Sequence, residues 1–137
     1  MILALTLVYS LIIGFMIFFM SVVTPSVFKT LDETNSRNFL RFIFPRMFLY
    51  GFILSFVALL LSIYIRDQFL ILISVCGSVL FLSNTYIITP KINFHRDQFK
   101  DGKMESEKVF KKYHLISVVI FLIQLISSIS VIIVNNL

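Results

Sequence analysis

Charged side chains divide the chain into four long apolar blocks. No Asp, Glu, Lys or Arg occurs within residues 1–28, 47–65, 68–90 or 113–137. The apolar runs inside these blocks are nearly unbroken, as at 49–61 and 118–123, and lack the alternation that a barrel strand needs. A helix of about 20 mostly apolar residues crosses about 30 Å of hydrocarbon at 1.5 Å per residue. In lipid every backbone amide must be paired within its own segment or in a closed sheet, so runs of this kind predict helices. The expected fold is an all-α integral membrane protein. It is a four-transmembrane-helix bundle in a single domain, 1–137, with spans near 2–24, 46–65, 68–89 and 113–134.

Composition narrows the picture further. Of 137 residues, 58% are hydrophobic and 14% charged, against about 45–50% and about 25% in a soluble domain. The mean hydropathy is +0.97. So short a chain buries only a modest share of its surface. A soluble enzyme, a disordered tail and a disulfide scaffold are therefore excluded as expectations. The single cysteine, Cys76, lies mid-span and reads as a small apolar side chain.

Basic residues set the expected orientation. Eleven of the 12 Lys and Arg fall at 29–46 and 91–112, and the twelfth, Arg66, sits beside Asp67 in a short turn. The positive-inside rule then makes 29–45 and 91–112 cytoplasmic linkers, with both termini and the 66–67 turn non-cytoplasmic, in an inner or plasma membrane. The first block has no basic flank and no small-x-small site before Pro25, so it is expected to stay as a span rather than be cleaved as a leader.

The end of span 1, Val22-Val23-Thr24-Pro25, recurs at the end of span 3 as Ile87-Ile88-Thr89-Pro90, 65 residues on. Phe44 and Phe110 follow at nearly the same offset. The chain therefore reads as two helical hairpins, 1–65 and 66–137, forming a parallel pseudo-repeat about an axis along the membrane normal.

Local signals refine the spans. Pro25 and Pro90 are expected to end or kink their helices, because proline lacks an amide proton and crowds the preceding turn. Pro45 is placed in the first turn of span 2. Aromatic residues interleaved with Arg37 and Arg41 predict a short interfacial helix before it. Glu107 and Lys111 have helical ion-pair spacing, so span 4 is expected to begin in the linker near Ser106, after a break at Gly102. Small residues four apart predict close helix contacts: Ser10 with Gly14, Gly51 with Ser55, and Ser74 with Ser78. Asn84 and Gln124 are intramembrane amides expected to face neighbouring helices. Tyr50, Tyr64, Tyr86 and Tyr113 fit an interfacial aromatic belt.

Candidate chemistry gathers at the basic end. Arg46, Lys91, Arg96 and His114 lie at one level, where spans 2 and 4 present their positive helix ends. With Asn93 and Asp97 they form a candidate cytoplasmic-face polar cluster suited to a headgroup or a small anion. His114, with Ser117 one turn on, has the chemistry of a haem ligand or proton relay. No His-x-x-x-His, Cys-x-x-Cys or Glu-x-x-His spacing accompanies it. No nucleophile elbow or phosphate loop occurs either. No catalytic residue, metal site or cofactor is expected. The expected partners are the lipid bilayer and a homo-oligomer or another membrane protein. The basic charge marks orientation, so no nucleic acid is expected.

Pro25 with Phe28, then Asn84, Pro90, Asn93, Arg96 and Asp97, then Phe110, His114, Ser117 and Gln124, form a pattern of short motifs. Its sharpest pieces are TPKINFHRD and FKKYHLIS…Q. The pattern resembles the transmembrane protein 205-like family, also catalogued as domain of unknown function 4149. That resemblance implies a small four-helix membrane protein without an established activity. The expected role is a structural or accessory membrane component. The alternatives are a subunit of a transporter or efflux system for a small solute, and a haem-binding or redox membrane protein using His114.

Overall fold

The computed structural model describes residues 1–136, and these are helical apart from short turns. Six α-helices form four rods. The first rod is α1 (Ile2–Phe18), a single π-turn (Phe19–Val23) and α2 (Thr24–Thr30). The second is α3 (Glu33–Ile65). The third repeats the plan of the first, with α4 (Gln68–Ser83), a π-turn (Asn84–Ile88) and α5 (Thr89–Lys100). The fourth is α6 (Glu105–Asn136). All four are long and apolar enough to cross a membrane.

The rods close a ring. α1 touches α3 and α6, while α4 touches α3 and α6. Inward positions recur every three or four residues. They are Leu5, Tyr9, Ile12 and Met16 in α1, then Phe48, Gly51, Ser55, Ala58 and Ser62 in α3, then Phe121, Gln124, Ser128 and Val131 in α6. A spacing near 3.5 residues keeps one seam of each helix facing its neighbours. Serine and alanine occupy many of these inner positions, whereas Leu3 is 83% exposed and Leu72, Leu115 and Ile126 exceed 60%. Small side chains inside and large apolar ones outside invert the soluble pattern and are compatible with lipid contact.

Buried hydroxyls are satisfied mainly on their own helix. Ser62 donates to Ala58 O (2.7 Å), Ser78 to Ser74 O (2.8 Å) and Ser128 to Gln124 O (2.8 Å). Tyr9 joins the first rod to the third through a 2.9 Å hydrogen bond between its hydroxyl and Ser74 Oγ, and Ser62 Oγ of the second rod lies 3.2 Å from that same atom. Gly51 and Ser55, like Ser74 and Ser78, face inwards as expected. Ser10 and Gly14 do not. Both are exposed, because the long side chains of Leu5, Tyr9, Ile12 and Met16 take the inner seam of α1.

The prolines depart from expectation. Neither Pro25 nor Pro90 ends its rod, which continues as helix to Thr30 or Lys100. The π-turn before each is the reason. Thr24 N–H bonds back to Phe19 O and Thr89 N–H to Asn84 O, five residues instead of four. The extra residue places each proline in the first turn of a new α-segment, where an amide has no intrahelical partner to lose. Pro45, by contrast, lies inside the unbroken α3, so no separate interfacial helix exists. The Arg46 guanidinium folds back to donate to Phe42 O (2.9 Å), supplying a carbonyl of the turn that proline loosens.

Between the second and third rods, Arg66 takes the left-handed conformation (φ 63°) and Asp67 caps α4 by accepting from Leu70 N (3.1 Å). Asp67→Ala removes that cap and should cost about 0.5–2 kcal/mol, read as a lower melting temperature in detergent. An unchanged melt would show that the turn does not need it. At the other end Gly102, at φ 91°, opens the break before α6. The expected Glu107–Lys111 ion pair forms at 2.5 Å.

Candidate functional site

The four rods do not pack tightly along their whole length. At the end carrying the basic linkers they enclose a cavity of about 400 Å³. Each rod contributes to its wall. Phe19, Met20, Thr24 and Phe28 come from the first, and Leu40, Arg41, Phe44, Met47 and Phe48 from the second. The third supplies Thr89, Ile92, Asn93 and Arg96, and the fourth His114, Ser117, Val118, Phe121 and Leu122. The inner wall is aromatic, with Phe44 against Phe19 at 5.3 Å and Phe48 at 6.1 Å between ring centroids. Polar groups collect on the α5 side and across on α6.

Arg96 is the central cation. Its guanidinium lies 4.7 Å from the centroid of the Phe110 ring and makes no ion pair with any described residue. Burial disfavours its charge most, and the like charges of Arg37 and Arg41 act the same way, with Asp97 opposing them. Arg41 is held by Asp97 (Nη2 to Oδ1, 2.6 Å), yet its Nε is buried with no partner among the described residues. The hydroxyls of Thr24, Thr89 and Ser117, the Asn93 amide and the His114 imidazole also make no hydrogen bond to a described residue. In the seams elsewhere most buried hydroxyls are bonded, as at Ser62, Ser74, Ser78 and Ser128. His114 stacks on Phe110 at 6.0 Å.

Of the polar cluster expected from the sequence, the structure thus brings Asn93, Arg96 and His114 to one cavity. Asp97 stands behind them as the partner of Arg41. Arg46 and Lys91 lie outside. Arg46 covers the ring of Phe42 at 3.3 Å, and the Lys91 ammonium is 5.2 Å from the Tyr113 centroid. His95 is also apart, stacked on Tyr113 at 5.9 Å. Among the described residues no three His, Cys, Asp or Glu side chains come together as a metal site. Sequence reasoning overlooked Arg41 as a site residue, although its spacing from Phe44 and Phe48 places all three on one helical face.

The two intramembrane amides differ. Gln124 Nε2 donates to Gly77 O (3.3 Å), joining the fourth rod to the third beside a second cavity of about 350 Å³. Asn84 is fully buried, and neither of its amide atoms has a partner among the described residues. It opens the second π-turn, at the position that Phe19 holds in the first.

No curated protein and no solved structure matches the chain. A family model, described as domain of unknown function (DUF4149), matches residues 7–101. That stretch is more than half of the chain and carries both π-turns, both Thr-Pro pairs, Asn93 and Arg96. The chain belongs to the DUF4149 family.

Proposed function

We propose that the chain is a structural or accessory component of a membrane, without catalysis of its own. Its two helical hairpins, 1–65 and 66–137, run parallel about an axis along the membrane normal. The linkers 29–45 and 91–112 lie in the cytoplasm, with both termini and the 66–67 turn on the opposite side. The observation that carries this reading is the coincidence of two asymmetries. Eleven of 12 basic side chains occupy one end of four apolar rods. At that same end the π-turn and Thr-Pro pair recur 65 residues apart. Repeat-related Tyr9 and Ser74, also 65 apart, meet in one hydrogen bond, as residues near a twofold axis would.

Single-cysteine labelling tests the orientation. In a Cys76→Ser background, Asp67→Cys should react with a membrane-impermeant maleimide in intact cells, and Lys103→Cys only after permeabilisation. The reverse pattern would overturn the reading. A transporter subunit for a small solute is the second reading, favoured by a cavity to which all four rods contribute. Solute flux through vesicles containing the protein, lost on Ser117→Phe, is its expected signature.

A further inference from the structure

The cavity has an opening. Among the described residues no Cα of α2 lies within 8 Å of one in α6, although α1 and α6 are in contact. The first and fourth rods therefore part towards the basic end. Exposed apolar side chains border the gap, with Met20 and Phe28 on one side and Val118 and Leu122 on the other. A gap with such edges faces hydrocarbon, not water. The cavity behind it holds Arg96, the buried Nε of Arg41, and the unbonded polar groups of Asn93, His114 and Ser117. The Arg41 Nε is buried, and buried donors are rarely left unpaired without a reason, while Asn93 and Ser117 are half-buried and His114 is exposed. These face aromatic walls through which an alkyl chain could pass.

We propose that this cavity binds an anionic lipid of the surrounding leaflet. Its phosphate is held by Arg96 and Arg41, Asn93 and Ser117 donate to its oxygens, and its acyl chain leaves between α2 and α6. Charge complementarity selects the head. Arg96 makes no ion pair with a described carboxylate, and guanidinium groups match phosphate oxygens in paired hydrogen bonds. The apolar exit selects a lipid over a free ion. Basic pockets between membrane helices take such heads in general. The site is distinct from diffuse attraction of lipid to the linkers, because most linker cations, Arg46 and Lys91 included, lie outside it.

The test uses the full chain in neutral detergent, with phosphatidylglycerol, phosphatidylcholine of the same chains, and inorganic phosphate as probes. Binding is read by native mass spectrometry and by the shift in melting temperature. Phosphatidylglycerol should remain bound and raise the melt, and the other two should not. Arg96→Gln should weaken phosphatidylglycerol about tenfold or more, the scale of a lost charged hydrogen bond. Arg46→Gln and Lys91→Gln should change it less than about twofold, as exposed cations do. Ser117→Phe fills the cavity without changing charge and should abolish retention. If Arg96→Gln does not fold, Arg96→Lys keeps the charge and should still lose affinity, because the ammonium cannot make the paired contact. Three results would overturn the proposal: equal losses on Arg46→Gln and Arg96→Gln, equal protection by inorganic phosphate, or undiminished retention by a folded Ser117→Phe.

Discussion

Gly51→Leu should strongly destabilise the bundle by overpacking the inner seam of α3. Even a Cβ at this position would fall against the ring edge of Phe81, within 2.6 Å of Cζ and 2.7 Å of Cδ1. Phe81 cannot yield easily. It is 1% exposed and packs on Phe15 at 6.2 Å between centroids. Phe15 in turn meets Tyr50 edge-on at 5.3 Å. Overpacking of this kind costs about 1–3 kcal/mol and occasionally more. Phe81→Ala alone should also be costly, about 3–5 kcal/mol, by leaving a void. In the Gly51→Leu background the same change should cost much less, because the new side chain occupies the vacated space. Residues in contact couple by about 0.5–3 kcal/mol in such cycles. The cycle is measured by reversible unfolding in mixed micelles, and strict additivity would show that the two positions do not meet. Gly14 supplies the internal contrast. A Cβ there has nothing within 4 Å, so Gly14→Ala should leave stability unchanged or raise it by up to about 1 kcal/mol through helix propensity.

Deleting Tyr86 should be the second severe change, and Pro90→Ala should cure most of it. Tyr86 lies in the second π-turn and is 66% exposed, so little packing goes with it. Removing one residue from a π-turn returns the segment to ordinary α-helix. Pro90 then falls inside a continuous hydrogen-bond ladder, where its ring meets a carbonyl one turn back at a cost of about 3 kcal/mol or more. Pro90→Ala in the deleted chain removes that clash. In the intact chain the same substitution relieves nothing and should change the melt by less than about 1 kcal/mol. Equal effects of Pro90→Ala in both backgrounds would show that the π-turn is not what accommodates the proline.

The four rods were legible because charge cannot be hidden in hydrocarbon, and 19 charged side chains outside four blocks leave little choice of fold. The seams were harder. Spans as uniformly apolar as α1 carry no amphipathic stripe, so the small pair Ser10 and Gly14 suggested a contact that Tyr9 and Ile12 make instead. Tyr9 gave no signal at all, since its value lies in reaching Ser74 on a different rod. The Thr-Pro repeat was visible in the sequence, but a one-residue change of helical register leaves no trace in an apolar run, and proline alone suggested helix ends. Asn93, Arg96 and His114 share one end of the rods, and that much is legible from the placement of the charges. Arg41 belongs to a run whose sequence reads as a surface helix, so its inward direction leaves no signal. Arg46 and Lys91 lie at the same end but over Phe42 and Tyr113, a direction that position along the chain does not reveal.

Each widened turn has a rotational consequence. One residue of an α-helix corresponds to about 100° around its axis. With an uninterrupted ladder and the same sequence, everything beyond Ile88 would be turned by roughly that angle, and the Arg96 guanidinium would swing away from His114. The added residue thus works as a phase adjuster. It lets one side of the third rod serve the seam with α3 while another azimuth, a few turns later, serves the chamber at the basic end.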